Sequence, residues 1–239
     1  MLLACSSKKY KNYQTTISLL NINDSISTDL KIQSFIEPYK NHINKDLDSV
    51  LAYNPITQDK SKGLWETNIG NLFSNVTLEL TRPIFKKRED KTIDFCILNH
   101  GGIRAIIPAG NVTSRTAYEI MPFENSVMVI GLTGKEVLEL ANYVLTEKKP
   151  HPLEGIVIKT NTDYSKVISV EINNLKINEN TIYYVATSDY LANGGDNMIF
   201  FKKSAIKYDL DYKLRNVFID YFKKVDTIPN ITTKHIITE

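Results

Sequence analysis

Cysteine is scarce in this chain. Cys5 and Cys96 are the two in 239 residues, too few for the disulfide framework that staples small secreted domains. Histidine is scarce too: His42, His100, His151 and His235 are the four. None sits in an Asp-x-His or Gly-Asn-His motif, and none is spaced from another as metal ligands are, so no metal site is expected in this chain. No apolar run reaches the roughly 18 residues of a membrane-spanning helix. An excess of one charge is also missing, with Lys+Arg 29 against Asp+Glu 27 and a net charge of +2. That balance excludes the clustered basic footprint of a nucleic-acid-binding protein. No internal repeat is present.

What remains is an ordinary globular composition, 42 % hydrophobic and 23 % charged, long enough to bury one sizeable core. Cys96 lies in the apolar run Ile93-Asp94-Phe95-Cys96-Ile97-Leu98 and is expected to be a buried, inert thiol. Cys5 differs, because Leu2-Leu3-Ala4-Cys5 followed by Ser6-Ser7-Lys8-Lys9 resembles the end of a bacterial lipoprotein signal. The apolar stretch that should precede the box is missing, so either the true start lies further upstream, or the signal was trimmed, or the match is chance. If Cys5 carries lipid, the protein is anchored at a membrane surface and does not span it.

Four segments have helical periodicity. Ile32, Phe35, Ile36, Tyr39, Ile43, Leu47 and Val50 recur at three- and four-residue spacing after Thr28-Asp29. Ile69, Leu72, Phe73, Val76 and Leu80 share a face that is expected to stop by Pro83. Val137, Leu138, Leu140, Ala141, Val144 and Leu145 follow a capping-box pair, Thr133 and Glu136. Leu210, Leu214, Val217, Phe218, Tyr221 and Phe222 form the last. Between them, Ile93–Leu98, Val127–Leu132, Ile156–Lys159, Val167–Ile172 and Thr181–Thr187 are short, β-branched and bounded by turn residues, as strands are. Several strands follow one another without a helix, which predicts an α+β fold with mixed β-sheets flanked by helices. Residues 1–25 read as a polar tether and 26–239 as one domain.

Three turns carry less ordinary chemistry. Asn99-His100-Gly101-Gly102-Ile103-Arg104 follows a strand. Its glycines allow a close backbone approach to a ligand, and Arg104 offers a charged fork to phosphate or carboxylate. It also reads as a plain turn with a solvated Arg. Leu191-Ala192-Asn193-Gly194-Gly195-Asp196-Asn197 is either a tight loop or a loop whose Asp196 accepts from sugar hydroxyls. Phe123, after Met121-Pro122, is either a stacking platform or a core ring.

Taken in order, these strings resemble the 5′-nucleotidase C-terminal domain family. The match runs through Glu66-Thr67-Asn68-Ile69-Gly70-Asn71-Leu72, Asn99–Arg104, Ile107-Pro108-Ala109-Gly110, Val112-Thr113, Glu119-Ile120-Met121-Pro122-Phe123, Leu132-Thr133-Gly134 and Ala186–Asp196. It is colinear over roughly residues 30–225. The resemblance implies a nucleoside held between two aromatic rings, Phe123 and Tyr190, where the family usually has a second Phe. It further implies Asn99 on the base, Gly101, Gly102 and Gly195 in the binding turns, Arg104 toward ribose and phosphate, and Asp196 on the ribose hydroxyls. Two departures stand out. His100 replaces a third glycine and either meets a ligand or partner or faces solvent. Trp65 stands where an Arg often helps hold phosphate. It is then either a packing residue or a surface for another protein.

Family enzymes hydrolyse phosphate esters with two divalent metals in a separate N-terminal metallophosphoesterase domain, whose motifs this chain lacks. The resemblance therefore implies no catalytic residue and no cofactor here, with the metals in a separately encoded partner subunit. The alternative is a stand-alone, non-catalytic nucleoside- or nucleotide-binding lipoprotein, and a scaffold with a vestigial pocket comes third. Because enzymes of this type mostly act outside the cytoplasm, a periplasmic or cell-surface location with a lipid on Cys5 is expected.

Overall fold

The computed structural model describes residue 11 and residues 14–239, so Cys5 and its lipoprotein-like box lie outside the described residues. In chain order the elements are α1 (Leu30–Leu47), β1 (Val50–Asn54), α2 (Asn68–Glu89), β2 (Phe95–Ile97), β3 (Gly110–Thr113), α3 (Ser114–Ile120), β4 (Ser126–Thr133) and α4 (Gly134–Glu147). There follow β5 (Leu153–Glu154), β6 (Ile156–Thr160), β7 (Val167–Ile172), β8 (Leu175–Lys176), β9 (Ile182–Ser188), α5 (Asp189–Ala192), α6 (Ile199–Lys203), β10 (Lys207–Lys213), α7 (Leu214–Lys224) and β11 (Ile236–Thr238). Among the described residues no helix is long and apolar enough to cross a membrane.

The chain divides into two units between Ile43 and Asn44. In the first, Asp29 caps α1 by accepting from the N–H groups of Lys31 (2.8 Å) and Ile32 (3.2 Å). The cap is therefore Asp29, the second residue of the Thr28-Asp29 pair that precedes the helical pattern. The periodic apolar residues from Ile32 to Leu47 do form a helix, whereas Val50 opens β1, and none of the residues of α1 is buried. Periodicity reports a stripe and is silent about what covers it.

The second unit is built on a five-stranded mixed sheet in the order β10-β4-β9-β2-β5, in which β2 runs parallel to β9 and the other pairs are antiparallel. A four-stranded mixed sheet (β11-β6-β7-β8) and a β1-β3 pair complete it. The α+β expectation with mixed, helix-flanked sheets holds. Strand β2 is buried on both faces, which explains its unbroken apolar run. Cys96 joins one apolar cluster, with Phe73, Phe85, Phe218 and Phe222 of α2 and α7. Phe95 and Ile97 join another, with Leu140 and Val144 of α4 and Phe201 of α6. The Phe73 and Phe218 rings, 4.0 Å apart at their centroids, lock α2 onto α7. Burial pushes the Cys96 thiol up, away from the reactive thiolate.

Two further helix expectations need correction. Helix α2 does not stop at Pro83 but continues to Glu89 and closes at Asp90, which has φ 55°. Tertiary anchoring overrides the proline. Arg82 donates to the Ile93 and Asp94 carbonyls, both at 2.9 Å, and Phe85 is fully buried beyond it. Leu210 belongs to β10 rather than to the last helix, which starts at Leu214. Its helix-like spacing to Leu214 arises because strand and helix bury into the same cluster. The expected capping box of α4 is present: Glu136 N–H donates to Thr133 Oγ1, and the Thr133 N–H donates to Glu136 Oε2. Helix α2 opens inside the Glu66–Leu72 string, with Thr67 as its cap.

Candidate functional site

Sheet topology brings the three turns together. Strands β2 and β9 are parallel, so their carboxyl ends open on one edge. That is the edge where ligands lodge in α/β sheets. The Asn99–Arg104 turn leaves the first, and α5 with the Gly194-Gly195-Asp196 turn leaves the second. Strand β4 is antiparallel to β9, with Val127 opposite Ser188, so the Phe123 loop that enters β4 arrives at the same edge. The Arg104 N–H donates to the Ile120 carbonyl at 2.9 Å and ties the first turn to the end of α3.

Between these turns lies a cavity of about 290 Å³ lined by Asn99, Gly101, Gly102, Phe123, Asn125, Tyr190 and Asp196. Phe123 and Tyr190 are 42 % and 45 % exposed, large rings left at the surface instead of in the core. A Cβ at Gly102 would lie 2.8 Å from Asn99 Oδ1, so the glycine leaves room for the Asn99 side chain in the place it occupies. Gly195 is needed because Tyr190 lies against it, and a Cβ would sit 2.5 Å from the ring.

The loop bearing Phe123 is stapled from α7. Arg215 pairs with Glu124, donates to the Pro122 carbonyl at 3.3 Å and lies over the Tyr118 ring at 4.1 Å. Lys213 donates to the Glu124 carbonyl (2.8 Å) and Ser126 Oγ (2.9 Å). An exposed ring is thereby held on a fixed backbone.

On the opposite wall, Tyr190 Oη donates to Asp196 Oδ1 at 2.8 Å and accepts from the Asp196 N–H at 3.2 Å. Its hydrogen bond to Asp196 holds the phenol above its ordinary pKa. Behind them, Tyr143 Oη donates to the Asp196 carbonyl at 2.6 Å, and burial pushes its pKa up to about 12. The His151 ring packs near Tyr143, with centroids 5.9 Å apart. His151 is 2 % exposed and its Nδ1 accepts from the His100 N–H at 3.4 Å. Burial pulls His151 down to about 4.

Of the residues singled out from sequence, Asn99, Gly101, Gly102, Phe123, Tyr190 and Asp196 line the cavity. Arg104 and Gly195 do not. Arg104 is exposed at the rim, its guanidinium 5.9 Å from the Phe123 ring centroid. His100 is half-buried and outside the lining; burial, followed by the charge of Lys60, lowers its pKa. Trp65 is a packing residue, 7 % exposed with its ring 5.3 Å from that of Tyr164. Asn125, two residues from Phe123, was within reach of the sequence pattern but carried no motif of its own. Lys60 was not, since it lies in a polar run with no local signal. Its Nζ donates to the Ile103 carbonyl at 2.5 Å, and burial together with the Arg104 charge lowers its pKa. Two cations thus share the rim beside the glycine turn. Among the described residues no group of three or more His, Cys, Asp or Glu could hold a metal ion.

The fold and cleft define a class, an α+β domain with a small ring-walled cleft at the carboxyl ends of two parallel strands. The model of the family described as 5′-nucleotidase, C-terminal domain, matches residues 54–203, and the chain belongs to that family. It is 25 % identical over 228 residues to the trifunctional nucleotide phosphoesterase protein YfkN of Bacillus subtilis, covering 89 % of this chain and 15 % of that protein. It is 25 % identical over 202 residues to a 5′-nucleotidase of Vibrio parahaemolyticus, covering 82 % and 34 %. The solved 5′-nucleotidase precursor from Thermus thermophilus superposes with a TM-score of 0.72 at 25 % identity, over 88 % of this chain and 43 % of that one. The chain spans less than half the length of each of these relatives.

Proposed function

We propose that this chain is the nucleoside- and nucleotide-recognition part of a 5′-nucleotidase-type phosphohydrolase. Hydrolysis then requires a separately encoded metallophosphoesterase chain, which carries the two divalent metals and the attacking water. The observation that carries the reading is the pair of exposed rings, Phe123 and Tyr190, on the lining of one cavity with Asn99 and Asp196 as its polar groups. A nucleobase between two rings gains about 1–3 kcal/mol per stacked base with little regard to which base it is. Asn99 supplies both a donor and acceptor for a base edge, and Asp196 supplies acceptors for sugar hydroxyls. The cavity lies at the small end of the roughly 300–1,000 Å³ range of ligand sites, which suits a nucleoside with its phosphate at the rim beside Arg104 and Lys60. A periplasmic or cell-surface location, with lipid on Cys5, belongs to the same proposal; fatty-acid labelling lost in Cys5→Ser tests it.

Two measurements test the reading. Calorimetric titration of AMP and adenosine into the chain should give micromolar to millimolar binding, of the order expected when part of a site is supplied elsewhere. Phe123→Ala should weaken it about tenfold or more. Adding a metallophosphoesterase encoded beside this chain should raise AMP hydrolysis well above either protein alone. Binding without that rise would favour a stand-alone binding protein. No binding at all would remove the nucleoside reading.

A further inference from the structure

The Tyr190 hydroxyl does something that the ring alone cannot. Asp196 has left-handed backbone angles (φ 49°, ψ 29°), and Asn197 follows at φ 61°. Consecutive non-glycine residues in that region persist only where surrounding contacts over-determine them. Here the contacts are two tyrosine hydroxyls. Tyr190 Oη bridges the Asp196 N–H (3.2 Å) and Asp196 Oδ1 (2.8 Å), fixing main chain and side chain at once. Tyr143 Oη holds the Asp196 carbonyl at 2.6 Å. Gly195 makes the bridge possible by letting the Tyr190 ring rest on the turn. A Phe at this position would keep the stacking face and lose the bridge.

We infer that the Tyr190 hydroxyl is a positioning group: it holds the Asp196 carboxylate at the cleft, and the preference of that carboxylate for a sugar with free 2′ and 3′ hydroxyls depends on it. This rests on the nucleoside reading above. An ionised carboxylate offers about four acceptor sites and no donor. Tyr190 takes one of them, and Asp196 lines the cavity. Only ligand groups that donate can use those sites. Vicinal hydroxyls are such groups, and hydrogen bonds to a charged acceptor are the stronger kind. A sugar without hydroxyls leaves the carboxylate short of partners, which is how a polar site rejects an analogue. The base is then gripped by the rings and the sugar is read by Asp196. Tyr190 belongs to both.

The test compares adenosine with 2′,3′-dideoxyadenosine by calorimetry on the full chain and on Tyr190→Phe, Asp196→Asn and the double variant. The wild type should prefer adenosine by about tenfold or more. Tyr190→Phe should cut the preference, read as the ratio of the two affinities in the same protein, to about threefold or less. The double variant should lose no more preference than Asp196→Asn alone, since both act through one carboxylate. A Tyr190→Phe protein that keeps the full preference overturns the inference. So does a wild type that binds both nucleosides equally, even where Phe123→Ala abolishes binding and the stacking reading stands. A wild type that binds neither nucleoside overturns the nucleoside reading and this inference together.

Discussion

The Arg215 guanidinium, nearly buried at the start of α7, pairs with the exposed carboxylate of Glu124, the residue after Phe123. The pairing holds the Glu124 carboxyl below its ordinary pKa. It also joins a core helix to the loop that presents one wall of the cleft.

Replacing Arg215 by Met keeps most of its apolar bulk and removes its own hydrogen bonds to the loop, leaving those of Lys213. Adenosine affinity should fall about three- to tenfold through loss of preorganisation, although Arg215 does not line the cavity. Glu124→Gln, which keeps a neutral acceptor for Arg215, should fall less. Equal affinity in wild type and Arg215→Met, measured calorimetrically, would show that the staple is irrelevant to the site.

Gly102→Ala separates folding from recognition. The new methyl would meet the end of the Asn99 side chain, an amide that can swing away, so the fold should survive with a melting temperature within about 4 °C of wild type. The amide that swings away is a cavity-lining group, so adenosine binding should drop about three- to tenfold. Unchanged binding would argue against any role for Asn99 in holding the base.

His151 sets a pH dependence of stability. Its ordinary pKa of 6.5 is pulled down to about 4 by burial. Between those values the unfolded chain takes up a proton that the folded chain refuses, so stability rises with pH across that window. The contribution is fully present above pH 6.5 and is lost as pH falls toward 4. At most it amounts to about 3 kcal/mol. Because carboxylates also titrate at the low end, the measurement is the difference between wild type and His151→Asn in denaturant melts at successive pH values. A difference that stays flat from pH 7 to pH 4 would contradict the assignment.

Local chemistry was legible wherever it was self-contained. The Thr133–Glu136 box fixed the start of α4 because both partners lie within one turn. The β-branched runs became β4, β6, β7 and β9, and the apolar run around Cys96 became β2, since a central strand shows its burial in composition. Pro83 misled because its helix is held by Arg82 and Phe85 from outside the local sequence. Leu210 misled because a strand and a helix that bury into one cluster can imitate one period. The stripe on α1 foretold a helix but not its burial, which depends on a partner surface.

The family was legible in residue order alone, and so were the glycine turns, the two rings and Asp196 as candidates, because each is carried by residue type at close spacing. Tertiary structure alone decided that these turns meet. That required β2 and β9 to run parallel with β4 antiparallel beside them. It also decided which neighbours act on the site: Arg215 gripping the Phe123 loop, Lys60 beside Arg104, Tyr143 and Tyr190 holding Asp196. Such contacts depend on directions in space set by sheet register and helix packing, and residues a hundred positions apart leave no local mark of them.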